Sequence, residues 1–264
     1  MTLRFTILGC GSSGGVPRLG GHWGDCDPDD PLNRRRRCSL LVERIGGNGI
    51  TRVLFDTSPD MRAQLLDAGV GALDGVVWTH SHADHVHGID DLRMIVFNQR
   101  QRLDVWADDD TYAALNERFR YVFETPEGSH YPPILTRHPM AGPITIDGAG
   151  GKVTVTPIPV GHGDIDALGL RVGGMVYMPD VNTIPDASLP LLRGMDVWIL
   201  DALRRSPHPS HLSLPETLDW IDRMAPARAV LTNMHIDLDR ATIDAETPPH
   251  VTPAHDGMVI ELEG

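Results

Sequence analysis

Cysteine is scarce in this chain. Cys10, Cys26 and Cys38 are its only three, none sits in a C-x-x-C pair, and one must stay unpaired. That count excludes a disulfide framework and points to a reducing compartment. Basic charge is also short: 23 Lys and Arg stand against 36 Asp and Glu, a formal net charge of −13. Such a balance argues against a broad electrostatic footprint on DNA or RNA. No apolar run approaches membrane-spanning length, and the strand-like start from Met1 breaks at Gly9, too short for the core of a signal peptide. Aromatic residues make up only 5%, yet 41% of residues are hydrophobic, enough for a sizeable core. The expectation is a compact, cytoplasmic enzyme with neither a DNA nor a membrane partner.

What the chain does have is regular alternation of strand and helix signals. Strands are expected at Leu3–Leu8, Ser39–Arg44, Arg52–Asp56, Gly75–Trp78, Leu103–Ala107, Lys152–Pro157, Leu168–Val172, Met175–Met178, Val197–Leu200, Ala229–Thr232 and Met258–Leu262. Helices are expected at Asp60–Ala68, Ile89–Asn98, Asp110–Phe123, Ala187–Arg193 and Glu216–Met224, several behind a proline or acidic start signal. Gly9–Arg37 and Glu124–Pro143 read as long loops. With no repeat or linker to separate two cores, residues 1–264 read as one domain: two packed sheets flanked by helices.

One segment carries more chemistry than the rest. In Val77-Trp78-Thr79-His80-Ser81-His82-Ala83-Asp84-His85, an apolar strand delivers four potential metal ligands within six residues. Side chains alternate along an extended chain, so His80 and His82 project to one side and can grip one cation. Asp84 and His85, at the start of a helix, face a neighbouring position, which suggests two cations. Imidazole and carboxylate without thiolate suit zinc, manganese or iron at a catalytic centre better than a closed structural site. Further candidates stand where strands run out: His162 after Pro159-Val160-Gly161, Asp180 after Val176-Tyr177-Met178-Pro179, and His235 after Val230-Leu231-Thr232-Asn233-Met234. Singly, each could just as well cap a turn.

The ordered series His80, His82, Asp84, His85, His162, Asp180 and His235 resembles the ligand set of the metallo-β-lactamase-fold hydrolases. The opening Leu8-Gly9-Cys10-Gly11-Ser12-Ser13-Gly14-Gly15-Val16-Pro17, the stretch Arg34–Ser39 and Asp256-Gly257-Met258 look like the phosphoribosyl 1,2-cyclic phosphate phosphodiesterase branch, a relative of the tRNA 3′-processing ribonuclease Z. The resemblance implies an α+β, αββα four-layer sandwich binding two divalent ions, Zn²⁺ or Mn²⁺. His80, His82 and His162 would hold one ion, Asp84, His85 and His235 the other, and Asp180 would bridge them. A bridging hydroxide would attack the phosphorus of a small cyclic or nucleotide-like diester. His211 would contact the phosphate or protonate the leaving alkoxide. Its alternative is a polar contact at the start of the helix near Pro215. Asp56 would orient a metal histidine through its other ring nitrogen, or else stabilise the turn at Thr57-Ser58-Pro59. Arg204 is a weaker candidate for the substrate phosphate, and Arg34–Arg37 weaker still, since charge runs are usually solvated faces. The resemblance also allows a homodimer.

Two departures from that branch stand out. Its structural zinc needs a trio of loop cysteines and a second histidine, but His22–Pro28 keeps only Cys26, and no second histidine follows His235 within Asn233–Asp237. No structural zinc is expected. The family's Leu-Thr-His spelling would also set its ligand where Asn233 stands, so assigning His235 requires a local shift.

Other readings are weaker. Gly9-x-Gly11-x-x-Gly14 spells a dinucleotide fingerprint, and Gly11-Ser12-Ser13-Gly14-Gly15 a nucleophile elbow. Gly15, Pro17, Gly20 and Gly21, however, continue the loop where both motifs need a helix. A thioesterase or lactonase of the same fold, the tRNA-processing activity, and a non-catalytic nucleotide-binding metalloprotein complete the alternatives.

Overall fold

The computed structural model describes all residues, 1–264. Backbone packing gathers Met1–Leu8, Ser39–Val155 and Val259–Gly264 into one compact unit, and Gly9–Cys38 with Thr156–Met258 into another.

The first unit carries a sheet ordered β14-β1-β2-β3-β4-β5-β6. Its strands are β1 (Thr2–Gly9), β2 (Ser39–Gly46), β3 (Gly49–Phe55), β4 (Gly75–Val77), β5 (Leu103–Ala107), β6 (Leu135–Pro139) and β14 (Met258–Glu263). β2 and β3 form an antiparallel hairpin, while β3 through β6 run parallel, so the sheet is mixed. Helices α1 (Met61–Asp67), α2 (Ala83–Val86), α3 (Leu92–Gln99) and α4 (Asp109–Phe123) connect the parallel strands. Their apolar faces, with Met61, Leu65, Leu92, Ile95 and Leu115, join Leu41, Leu54, Val76 and Trp78 in one core. Asp108 starts α4 by accepting from the Thr111 amide at 2.7 Å.

The second sheet is ordered β13-β12-β11-β10-β9-β8-β7. Here β7 is Ile144–Ile146, β8 Val153–His162, β9 Ile165–Val172, β10 Met175–Met178, β11 Val197–Asp201, β12 Arg228–Thr232 and β13 Val251–Pro253. The start of β8 pairs with β7, and its remainder pairs antiparallel with β9. β10 through β13 are parallel. Three helices accompany this part of the chain: α5 (Leu189–Leu192), α6 (Leu214–Met224) and α7 (Arg240–Glu246). α6 buries Leu214, Thr217 and Ile221, one helical stripe, and opens on a capping box between Ser213 and Glu216.

The expected class, α+β with two mixed sheets flanked by helices, is the observed one. Every expected strand and helix is present, β5 and β10 with the expected bounds and the others with shifted ends; Ile89–Asp91 forms a 3₁₀ turn before α3. Four elements escaped the sequence reading: β6, β7, β13 and α7. β6 lies inside the expected loop Glu124–Pro143, where Leu-Thr-Arg-His-Pro lacks strong alternation but pairs parallel with β5. α7 is a polar segment made helical by its cap: Asp239 accepts from the Thr242 amide at 3.0 Å. No helix is long and apolar enough to cross a membrane.

Candidate functional site

In the first unit the candidate residues cluster beyond the ends of β3 and β4. β3 stops at Phe55, and Asp56 then takes a left-handed φ of 62°, which swings its carboxylate under the segment that follows β4. Asp56 is fully buried. Its Oδ1 accepts from the Thr79 amide at 2.8 Å, and its Oδ2 from the Thr79 hydroxyl at 2.8 Å and from His85 Nδ1 at 2.7 Å. Because the Thr79 hydroxyl gives its only proton to Asp56, it can only accept from His80 Nδ1, 3.0 Å away. One carboxylate thus fixes two imidazoles in the same tautomer, with the proton on Nδ1 and the lone pair on Nε2. Burial raises the Asp56 carboxyl pKa, and the contacts with His85 and Thr79 pull it back.

The His80 and His82 ring centres lie 4.7 Å apart and those of His80 and His85 4.3 Å apart. Asp84 Oδ2 stands 3.6 Å from His85 Nε2. An imidazole lone pair and a carboxylate oxygen at that distance repel unless a cation lies between them, so the donor set fits a metal ion. α2 is pinned in place by the turn after Asp56: the Thr57 amide bonds His85 O at 2.8 Å and the Gly88 amide bonds Thr57 O at 2.9 Å.

In the second unit, β8 ends at His162, and a two-residue turn of Gly163 and Asp164 leads into β9. Gly163 has a φ of 63° and a Cβ there would sit 2.7 Å from the Ser210 side chain, so this turn admits only glycine. His162 Nδ1 donates to Ser210 O at 2.6 Å, which turns its Nε2 lone pair toward Asp180 Oδ2 at 3.4 Å. This second lone pair facing a carboxylate again fits a cation. His211 Nδ1 bonds Asp201 Oδ2 at 2.8 Å, and its Nε2 lies 4.0 Å from Asp180 Oδ2. The alternative of His211 as a helix cap does not arise, since Ser213 caps α6. Burial raises the Asp201 carboxyl well above the ordinary range, with His211 opposing.

Asp201 and Asn233 are absent from the sequence-stated set. Asp201 ends the apolar run Val197-Trp198-Ile199-Leu200, a signal like the one that singled out Asp180. Asn233, with a left-handed φ of 59°, brings its amide nitrogen to 3.3 Å from both Asp180 and Asp201 and 3.2 Å from His211 Nδ1. Two residues on, His235 turns its ring to Asp237, at 3.0 Å, and to Arg18. The strand end therefore presents Asn233 to Asp180, with His235 on other partners.

Arg204 donates to Ser206 O at 3.1 Å and Pro207 O at 2.6 Å, holding the loop that carries His211. Of the run Arg34–Arg37 only Arg34 is exposed. Arg34 stacks on Trp23, Arg36 pairs with Asp256 at 3.0 Å, and Arg35 is only 2% exposed. The Arg35 guanidinium donates to Asn33 Oδ1 at 3.1 Å, Leu238 O at 2.7 Å and His235 O at 3.4 Å, riveting the amino-terminal loop to residues 235–238.

Comparisons with known proteins agree with this layout. Residues 51–236 match the family model of the beta-lactamase superfamily domain. A Porphyromonas gingivalis protein named octanoyltransferase is 33% identical over 269 residues, 99% of this chain but 52% of that protein. A ribonuclease Z of Bradyrhizobium diazoefficiens is 32% identical over 141 residues, 53% of this chain and 44% of its own length. The chain spans about half the length of the curated relatives it matches. Among solved structures, a diphosphatase from the PhnP family is 34% identical with a TM-score of 0.88, covering 99% of this chain and 98% of its own. The short form of human tRNase Z shares the fold at 18% identity and a TM-score of 0.68, covering 97% of this chain and 98% of its own. With the family matched over most of its length and a full-length relative beside it, the chain belongs to the metallo-β-lactamase-fold hydrolases and is related to ribonuclease Z.

Proposed function

We propose that this protein is a metal-dependent phosphodiesterase acting on a small cyclic or nucleotide-like phosphodiester, of which a phosphoribosyl 1,2-cyclic phosphate is the leading candidate. The observation that carries the reading is the fixed tautomer of the histidines: Asp56, Thr79 and Ser210 hold Nδ1 of His85, His80 and His162, which keeps each Nε2 lone pair for a cation. By the family resemblance, His80, His82 and His162 would hold one ion and Asp84 and His85 the other, with Asp180 as a further ligand. A pair of Zn²⁺ or Mn²⁺ ions, when bound, acidifies water and neutralises charge growing on the phosphoryl oxygens.

The chain's own residues supply the rest. His211 delivers a proton to the leaving oxygen as the phosphorus–oxygen bond breaks, and Asp201, bonded to its Nδ1, stabilises the imidazolium beforehand. Asn233 fixes Asp180 and Asp201 relative to each other. Phosphorus NMR of the manganese-loaded protein with ribose 1,2-cyclic 5-bisphosphate, beside a 2′,3′-cyclic nucleotide, tests the reading. Ring opening of one ester that is lost in Asp180→Asn is the expected result. No change in either signal with metal bound would turn the reading toward carbonyl esters.

A second reading, cleavage of a phosphoanhydride, draws support from the 34% identical relative described as a diphosphatase. It asks the same of His211, with phosphate in place of an alkoxide as the leaving group.

A further inference from the structure

Asp56 and Thr79 fix the imidazoles of His85 and His80, both fully buried. His82, which stands between them in the sequence, is exposed, and its backbone is addressed from a different element. Ser81 O accepts a hydrogen bond at 2.6 Å from Nη1 of Arg118, a residue of α4 that lies 37 positions further along the chain. The Ser81 carbonyl and the His82 amide share one peptide plane. A donor that fixes this oxygen therefore also fixes the plane from which the His82 side chain departs.

A surface arginine on a helix has a ready partner in a carboxylate one turn away, and Arg120 takes it, pairing with Glu124 at 2.9 Å. Arg118 instead turns its guanidinium to a backbone oxygen. Bonds from a charged donor are shorter and stronger than neutral ones. At the next residue, Phe119, α4 leaves helical geometry, with φ −129° and ψ 33°. There the Phe119 ring stands nearly perpendicular to His87, 5.6 Å between centres, and Tyr121 donates to Asp90 Oδ1 at 3.0 Å. Three residues at the end of α4 thus meet Ser81, His87 and Asp90, which bracket the ligand candidates His82, Asp84 and His85. All of these residues belong to the first unit.

We propose that Arg118 is a positioning residue of the candidate metal centre, holding the Ser81–His82 peptide so that the His82 ring meets its ion in a set orientation. Without that bond the peptide is freer to rotate, and the cost of ordering His82 falls on metal binding. Methionine at position 118 keeps an apolar stem and removes the donor, whereas lysine keeps a cationic donor on a flexible stem. The inference rests on the metal-dependent reading above and adds to it a residue outside the ligand series.

The test is calorimetric titration of the metal-free protein with Mn²⁺, arranged as a double-mutant cycle between Arg118→Met and His82→Ala. Arg118→Met should weaken Mn²⁺ about tenfold while His82 is present, and less than about twofold in the His82→Ala background. Arg118→Lys should recover most of the loss. The urea midpoint of the metal-free protein should be the same in Arg118→Met as in the wild type. Wild-type affinity in Arg118→Met, the same loss with and without His82, or a loss matched by a lowered urea midpoint overturns the proposal. If the cycle gives the expected split but the metal-loaded wild type opens no phosphodiester, the role of Arg118 stands and the phosphodiesterase reading falls. A wild type that takes up neither Mn²⁺ nor Zn²⁺ removes both.

Discussion

Asp56 and Asn233 do the same kind of work in different places. Each follows the last residue of a β-strand or nearly so, each adopts a left-handed backbone, and each turns a polar side chain onto neighbouring candidate-site residues. Asn tolerates that conformation and Asp is nearly as permissive, so Asp56→Asn should fold. It should nevertheless weaken metal binding by roughly ten- to a hundredfold, because the carboxylate that accepts from both His85 and Thr79 is lost. Calorimetric metal titration beside circular-dichroism melting would separate the two effects. Gly88 is limited by space, not by conformation: its φ is −82°, but a Cβ would run into Ser58 O. Gly88→Ala should therefore cost about 1–3 kcal/mol, measurable by urea unfolding. At this scale the sequence was legible where ligand types crowd together, as in His80–His85. It was opaque where a residue acts through a neighbour distant in the chain. Asp201 looks like any strand-end aspartate until His211 is seen on it, and nothing in the spelling of His235 shows that its ring goes to Asp237 and Arg18 while Asn233 goes to Asp180.

Among the elements, the long loop from Gly9 is held by side chains in place of a sheet. Arg35 is its central fastener, and removing it leaves Leu238 O buried without its donor and Asn33 Oδ1 with the Arg240 amide alone. Arg35→Ala should destabilise the protein by about 3 kcal/mol, read as a lowered urea midpoint. A second fastener is Asp239, which caps α7 through Thr242 and also accepts from the Asp27 amide and Asn33. Burial pushes its carboxyl up, but these hydrogen bonds outweigh that and hold it at about 2. A folded pKa below the unfolded value means that the contribution is fully present above about pH 4 and fades as pH falls toward 2. The stability gap between wild type and Asp239→Ala should therefore be widest near neutrality and close under acid, as equilibrium unfolding at several pH values would reveal. Strands with strong alternation or apolar runs could be read directly. β6, β7, β13 and α7 could not, since β6 and α7 depend on a parallel neighbour and on a cap rather than on hydrophobic period.

For the molecule as a whole, bound cations should be a stabilising term by mass action, because the ligands come from widely separated parts of the sequence and no preformed site exists in the unfolded chain. Free metal at a hundred times its dissociation constant should add about 2.7 kcal/mol, seen as a melting temperature that rises with metal concentration and collapses with chelator. A melting temperature indifferent to both would count against metal binding by the folded state.

The neighbours β14 and β1 carry a different consequence, one of timing. Met258–Glu263 lies beside Thr2–Gly9 in the first sheet although some 250 residues separate them in sequence. A ribosome must therefore complete the whole second sheet before the first can gain its outer strand. Until then β1, with Phe5 and Ile7 destined for full burial, stands as an open edge. A nascent chain stalled before residue 258 should be caught by chaperones and cut by proteases near its beginning, and release of the few residues of β14 should end both at once.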